Sequence, residues 1–202
     1  MALTIGLHLA AGVAMAAFWY LYALILPFRL LPKGIHHLAI HRAWPAINLL
    51  GTVGSILAVL GWAQLRVEYD SELGSWAEAA VLIAVVGLVL LAGNLSWEAI
   101  LWPPIARRDP DLLAFAGPIY RDRLLLTYFS LAGLLFAVGY VMVSFTFPSE
   151  VTPMGSRIGL GIGAPLFAFG PLFGRLQILC RSLGITLVSL GHVWLALSIT
   201  TT

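Results

Sequence analysis

Long apolar runs separated by short polar segments are the dominant pattern along this 202-residue chain. A helix that crosses a bilayer needs about 20 mostly apolar residues. Six runs approach that length, near residues 3–26, 45–65, 77–102, 124–147, 158–173 and 183–199. The fifth run is short and rich in glycine and proline, but residues 158–199 are too many for one crossing. We therefore predict an all-α, polytopic membrane protein with six transmembrane helices in a single domain, residues 1–202.

The first apolar run shares only part of the pattern of a secretory signal peptide. Ala14-Met15-Ala16 resembles a cleavage site, but no positive charge precedes the run, which continues to Leu26. We expect this segment to be an uncleaved first span.

Basic residues are distributed unevenly between the predicted loops. Nine of the eleven follow the first, third and fifth runs: Arg29, Lys33, Arg42, Arg107, Arg108, Arg121, Arg123, Arg175 and Arg181. Because short loops rich in Lys and Arg stay in the cytoplasm, both termini are predicted to lie outside. The preference for Arg over Lys, with abundant Ala, Leu and Gly, is typical of a GC-rich bacterial genome. We therefore expect a multi-pass protein of the bacterial cytoplasmic (inner) membrane.

The three basic reversals share a local pattern in which a proline is followed by an arginine. The pairs are Pro27 and Arg29, Pro104 and Arg107, and Pro171 and Arg175. This pattern predicts three helical hairpins with cytoplasmic tips, each helix ending near its proline. Common ancestry and independent convergence both account for the repetition.

Composition excludes several classes of protein. Only 10% of the residues are charged, whereas a soluble domain carries roughly a quarter, so a soluble enzyme is excluded. A net charge of +2 provides little attraction for nucleic acid, and one cysteine cannot form an internal disulfide. Known catalytic motifs are absent from the sequence, which favours a role without enzymatic activity.

Asn94 and Glu98 form the clearest polar site within a predicted span. They are four residues apart and therefore share one helix face. Ionisable groups inside a membrane are costly and are candidates for function. The pair predicts a proton or cation site near the cytoplasmic face. The alternative is a structural ion pair between Glu98 and a loop arginine, Arg107 or Arg123.

His8 and His192 are predicted to lie at similar depths, roughly 7–10 Å below the outer surface at 1.5 Å per helical residue. If the first and last helices are neighbours, the two imidazoles could be axial ligands of a b-type haem, or one could bind a chlorophyll-type pigment. The alternative is two structural histidines. His37 and His41 have a spacing that can hold a metal on a helix, but no acidic residue or cysteine is near, and we expect no metal there.

Three functions are compatible with the sequence. The first is a non-catalytic subunit that packs, within the lipid bilayer, against other membrane subunits of a respiratory or photosynthetic type of complex. Its partner surface would be the small residues Gly159, Gly161 and Gly163. The second is an electron-transfer protein that binds haem or pigment. The third is a small transporter or channel for a lipophilic or ionic solute, with Glu98 in the path and Asn48, Asn94 and Gln177 as further lining residues. Most aromatic residues fall near span ends, where interfacial anchoring accounts for them.

Overall fold

The computed structural model describes residues 1–27, 30–31, 34–71, 73–115 and 117–199, and the described chain is all-helical without strands. Arg29 and Lys33, two of the basic loop residues, lie outside these ranges. The α-helices are α1 (Ala2–Ile25), α2 (His36–Ala39), α3 (Trp44–Glu68), α4 (Ser75–Arg108), α5 (Pro118–Arg121), α6 (Arg123–Thr146), α7 (Met154–Ala168) and α8 (Gln177–Ile199).

Five helical segments in the described residues are long and apolar enough to cross a membrane. They are α1, α3, α4, α6 and the segment Gly170–Ile199, which contains α8. This supports a multi-pass membrane protein. The helix α7 has 15 residues and is therefore about 22 Å long, whereas a bilayer core is about 30 Å thick. A 3-10 helix, Gly170–Leu176, reverses the chain between α7 and α8.

The long helices and α7 form a closed ring in chain order, α1–α3–α4–α6–α7–α8, in which α8 returns to pack on α1. Neighbouring helices are antiparallel. The contacts that show this include Trp19–Ser182 and His8–His192 for α1 and α8, Gly163–Gly184 and Gly159–Gly191 for α7 and α8, and Gly87–Phe136 and Gly139–Ala84 for α4 and α6. The ring has a basic side, where α1 ends and α8 begins, and an acidic side, which carries Glu68, Glu78 and Glu150.

The helix α4 extends beyond its proline pair, whereas the sequence pattern predicted that it would end there. It continues through Pro103 and Pro104 to Arg108. Proline lacks a backbone N–H, yet Asp109 N–H still bonds to the Ile105 carbonyl at 2.8 Å, so the helix re-forms its ladder after the prolines. This extension carries the end of α4 past the basic-side ends of its neighbours and towards the loops.

Glycines on α7 pack inside the ring, and the prediction that they form a free surface for a partner is wrong. A Cβ atom at Gly159 would lie 2.9 Å from Gly191, and one at Gly163 would lie 2.6 Å from the Gly184 carbonyl oxygen. A Cβ atom at Gly161 would lie 2.7 Å from Ser144 Oγ on α6. Small residues let these backbones approach closely, so they serve the bundle's own packing.

Four of the seven tryptophans lie inside the bundle, whereas an interfacial role was expected for most aromatic residues. Trp19, Trp44, Trp62 and Trp102 are at most 3% exposed. Trp76 and Trp194, by contrast, are 73% and 56% exposed, as interfacial anchors would be.

Candidate ligand-binding cavity

A cavity of about 770 Å³ lies among the basic-side ends of the helices. Its wall takes residues from α1, α3, α4, α5, α7, α8 and the connecting segments. All four residues that the sequence suggested as a solute lining, Asn48, Asn94, Glu98 and Gln177, lie on this wall. Arg175 and Arg181 complete the set of strongly polar lining residues.

Two charged residues of the cavity wall lie within long helices, Glu98 on α4 and Arg181 on α8. These helices occupy opposite positions in the ring, because two other helices separate them in either direction. Among the described residues, the ion pairs within 4 Å are those of Glu68 with the Met1 amino group and of Glu78 with Arg66. Glu98 and Arg181 therefore face one cavity without a salt bridge.

The expected structural partners of Glu98 are not beside it. Neither Arg107 nor Arg123 forms an ion pair with Glu98 in the described structure. Arg107 instead donates from Nε to the Pro103 carbonyl at 3.1 Å. The interpretation of Glu98 as one half of a loop ion pair with these arginines is wrong.

Arg181 is held by aromatic rings. Its guanidinium carbon lies 4.5 Å from the centre of the Trp19 ring and 4.7 Å from the centre of the Phe167 ring. Cation–π contacts of this kind stabilise a guanidinium that has lost part of its water. The rings leave Arg181 Nε buried with no hydrogen-bond partner in the described residues. The cation is thus fixed in position while part of its donor capacity is unused.

Three other polar atoms on the cavity wall are buried without a partner in the part of the chain that the structure describes. They are Asn48 Oδ1, Asn94 Oδ1 and Trp102 Nε1. Asn48 is fully buried, and its Nδ2 donates to the Trp44 carbonyl at 3.0 Å, which leaves its oxygen as the free acceptor. Each buried polar atom without a partner costs about 1–3 kcal/mol. The cavity wall therefore offers two acceptors and two donors to an occupant.

Aromatic rings continue around the cavity. Trp19 and Tyr22 stack with centroids 5.5 Å apart, and Tyr120 contacts both Trp102 and Phe115, at 6.4 and 5.7 Å. Tyr120 lies in α5, outside the spanning helices, and burial raises the pKa of its hydroxyl, with the charge of Glu98 adding to the effect. Its phenol consequently stays neutral and can donate a hydrogen bond into the cavity.

His8 and His192 are in contact in the acidic half of the bundle, the half nearest to Glu68, Glu78 and Glu150, as their predicted depths indicated. Their Nδ1 atoms are 2.9 Å apart, and Tyr140 Oη lies 2.8 Å from His192 Nε2. Trp62 packs against both imidazoles, with ring centroids 5.0 Å from His8 and 5.9 Å from His192. All four side chains are completely buried. They form a continuous polar and aromatic core, in which His8 Nε2 and Trp62 Nε1 have no hydrogen-bond partner among the described residues.

This geometry does not fit a haem or a pigment. The two rings are stacked with centroids 5.1 Å apart, and the facing nitrogens are in direct contact. A metal held between two imidazole nitrogens needs them about 4 Å apart, at roughly 2 Å per bond, with a macrocycle in the plane between. His8 Nε2 faces α3, where a Cβ atom on Gly61 would lie only 3.1 Å from it. Neither imidazole has room for a tetrapyrrole on its free side.

His36, His37 and His41 lie on the basic side. The His36 and His37 rings are 4.1 Å apart, while His41 Nδ1 accepts from the Ala43 N–H at 3.2 Å. Burial lowers the pKa of His36, and the neighbouring His37 lowers it further. The described residues contain no group of three or more His, Cys, Asp or Glu side chains placed to hold a metal.

Sequence reasoning missed Arg181 and the aromatic wall. Arg181 was counted only as a loop charge, although it lies four residues after Gln177 at the start of an apolar run. This repeats the spacing of Asn94 and Glu98 on α4, and the same spacing on two helices was the available signal. Trp19 and Tyr22, three residues apart on one face of α1, were interpreted as interfacial.

Comparison with protein-family models, with curated proteins and with solved structures finds no match to this chain.

Proposed function

We propose that the chain crosses the bacterial inner membrane six times, as three helical hairpins with cytoplasmic tips and with both termini outside. The antiparallel ring and the accumulation of arginine on one side support this topology. The short α7 is compatible with a crossing, because bilayers thin locally and flanking residues reach the interface at modest cost.

We further propose that the protein is a small transporter that carries a lipophilic or ionic solute, with Glu98 in the path. The observation that carries this proposal is the cavity in which Glu98 and Arg181 are exposed to the same space without pairing. Charged groups in a membrane span mark substrate pathways by default. A cavity of this size is within the range of small-molecule sites, about 300–1,000 Å³.

A carrier fits these features better than an open channel. The cavity belongs to the basic half, while Trp62, Tyr140 and the histidine pair fill the acidic half. A solute therefore enters from the basic side and cannot leave by the acidic side without a rearrangement of that core. Carriers expose a central site to one side at a time.

The expectation of an accessory subunit stays a prediction. Its suggested partner surface on α7 is used for internal packing, and no other observation favours it. Purification in mild detergent addresses both functions, because bound small molecules and co-purifying polypeptides are detected in the same sample.

The test compares wild type with Leu91→Trp, which places an indole in the cavity, and with Val89→Trp, which adds the same group on an exposed part of α4. Small molecules that co-purify are identified by mass spectrometry. We expect a compound in wild type and Val89→Trp that is lost in Leu91→Trp. Proteoliposomes containing wild type, but not Leu91→Trp, should exchange the labelled compound across the membrane.

Two results would contradict the transporter. One is an identical set of small molecules in all three proteins. The other is a compound that binds in the cavity but is never exchanged by proteoliposomes. A further membrane polypeptide recovered in a fixed ratio to the chain would favour the subunit instead.

A further inference from the structure

We infer that the ligand of the cavity is an amphipathic zwitterion, a molecule with a cationic hydrogen-bond donor, an anionic group and an apolar body. This inference rests on the proposed function and specifies the chemistry of its solute. It follows from the placement of a carboxylate, Glu98, and a guanidinium, Arg181, on opposite walls of the cavity.

The wall formed by α3 and α4 offers a carboxylate and amide oxygens as acceptors, together with one unpartnered donor, Trp102 Nε1. Glu98 contributes a carboxylate without a salt bridge among the described residues. Asn94 and Asn48 contribute side-chain oxygens that lack donors. An ammonium group has several N–H donors and no acceptor, so a primary amine satisfies this set and balances the charge of Glu98. An anion placed there would meet a carboxylate and two amide oxygens.

The wall formed by the start of α8 offers donors. Arg181 has an unpartnered Nε and a guanidinium fixed between Trp19 and Phe167. Arg175 and Gln177 line the same part of the cavity. A guanidinium presents its N–H groups as a planar fork that matches a carboxylate or a phosphate. This wall therefore selects the anionic end of a ligand.

The space between the two polar walls is aromatic. Phe18, Trp19, Tyr22, Trp102, Phe115 and Tyr120 all line it. Flat apolar surfaces of this kind bind apolar or aromatic groups through burial of their area. A volume of about 770 Å³ exceeds the needs of a small ion and accommodates a ligand of drug-like size.

A ligand with a single charge meets only one of the two walls. It would leave either Glu98 or Arg181 without a counter-charge in direct contact, which is unfavourable in a site of low dielectric. A zwitterion satisfies both and brings no net charge into the membrane. This chemistry occurs in free amino compounds and in the headgroup of phosphatidylethanolamine, and the experiment separates the two sources.

The solute arm measures the binding of probes that differ in charge but share an aromatic body. L-Phenylalanine has adjacent charges and 4-(aminomethyl)benzoate has charges at opposite ends of its ring. Benzylamine and benzoate carry one charge each. Binding to the purified protein in detergent is followed by calorimetry and by the shift in unfolding temperature. We expect at least one zwitterion to bind tenfold or more tightly than both singly charged probes.

Neutral variants assign the two walls. Glu98→Gln should reduce the affinity for the zwitterion to that for benzoate, and Arg181→Gln should reduce it to that for benzylamine. Arg108→Gln removes an exposed arginine on the same side and should change neither affinity. All variants are first checked for an unchanged elution volume and helix content, so that a loss of binding is not a loss of fold.

The lipid arm measures which lipid stays bound, by mass spectrometry of protein from vesicles of equal parts phosphatidylethanolamine and phosphatidylglycerol. Selective retention of phosphatidylethanolamine, lost in Glu98→Gln, would identify a lipid as the source of the zwitterion. The inference is overturned if neither a zwitterionic probe nor phosphatidylethanolamine is preferred over its singly charged counterpart. If binding occurs without regard to charge and is lost in Leu91→Trp, the proposed function survives and the zwitterion does not. If Leu91→Trp affects no binding, the proposed function fails as well.

Discussion

The two halves of the helix ring surround their polar groups differently, with a packed core in the acidic half and a cavity in the basic half. In the acidic half, Tyr140, His192 and His8 are completely buried and joined by contacts of 2.8 and 2.9 Å. In the basic half, Glu98 and Arg181 border a cavity and form no ion pair with described residues. His8 Nε2 and Trp62 Nε1 also lack hydrogen-bond partners among the described residues, but they lie in a packed core. The polar groups of the basic half instead face a cavity that a ligand can fill.

This difference separates polar residues that pack inside the bundle from polar residues that are available to a ligand. Buried polar side chains are normally satisfied within a folded chain. His192 follows that rule through His8 and Tyr140, whereas His8 Nε2 has no partner among the described residues. The unpartnered atoms of Asn48, Asn94, Trp102 and Arg181 differ because they border a cavity. Such departures are expected where a binding site trades stability for function. The sequence contains both kinds of polar residue, and only the contacts distinguish them.

The largest expected effect comes from a large-to-small substitution in the acidic half. Trp62 is completely buried against His8, Tyr140 and Phe147. Trp62→Ala should lower the free energy of unfolding by about 3–5 kcal/mol, because it leaves a large hole in a packed core. Trp102→Ala should cost clearly less, since one side of that indole already borders the cavity. Unfolding in mixed detergent micelles measures both, and equal losses would contradict the contrast between the halves.

A smaller effect is expected where α1 approaches α8. A Cβ atom on Gly12 would lie 2.8 Å from the Ser189 carbonyl oxygen. A Cβ atom on Gly6 would have no atom of the surrounding described residues within 4 Å. Gly12→Ala should therefore destabilise the protein by about 1–3 kcal/mol through overpacking. Gly6→Ala on the same helix should be neutral or slightly stabilising, because alanine has the higher helix propensity. A loss of stability in Gly6→Ala as large as that in Gly12→Ala would show that glycine contacts do not set this interface.

The smallest effects are expected for polar groups. The change in the free energy of unfolding should differ in sign between a variant of the acidic half and one of the basic half. Tyr140→Phe leaves His192 Nε2 without its partner and should cost about 1 kcal/mol. Glu98→Gln replaces a carboxylate that has no ion pair, so the unfolding free energy should stay within about 0.5 kcal/mol or increase. The same unfolding assay compares the two variants. A marked loss of stability in Glu98→Gln would mean that the carboxylate is structural.

The spanning helices were largely predictable from the sequence, because hydrophobic length carries that information. The bounds of α1, α3 and α6 lie within a few residues of the predicted runs. The end of α4 was not predictable, because the prolines are tolerated inside the helix and its last turns extend past the apolar run. The start of α7 at Met154 was also missed, because the polar residues Ser156 and Arg157 precede the apolar run that begins at Ile158.

The candidate site was predictable only in part. The spacing of Asn94 and Glu98 identified one wall of the cavity, since both residues lie inside an apolar run. Arg181 was not assigned to the cavity, because an arginine near a loop gives the same sequence signal whether it faces water or an aromatic pocket. The proximity of His8 and His192 followed from equal depth. Direct contact between their rings depends on the packing of three helices and leaves no trace in the spacing.

The most direct test of the contrast between the halves is the accessibility of two cysteines on α8. Ile178 lines the cavity, and Ser189, 11 residues later, is buried in the acidic half on the same helix face. Each is changed to cysteine in a Cys180→Ser background, and sealed vesicles of both orientations are treated with a small, membrane-impermeant cationic methanethiosulfonate. Leu183→Cys, on an exposed part of α8, controls for reaction at the lipid-facing surface.

We predict that Ile178→Cys reacts rapidly from the basic side, while Ser189→Cys and Leu183→Cys react from neither side until the protein is denatured. Comparable reaction at Ser189→Cys, or no reaction at Ile178→Cys in the native protein, would contradict an open basic half above a sealed acidic half.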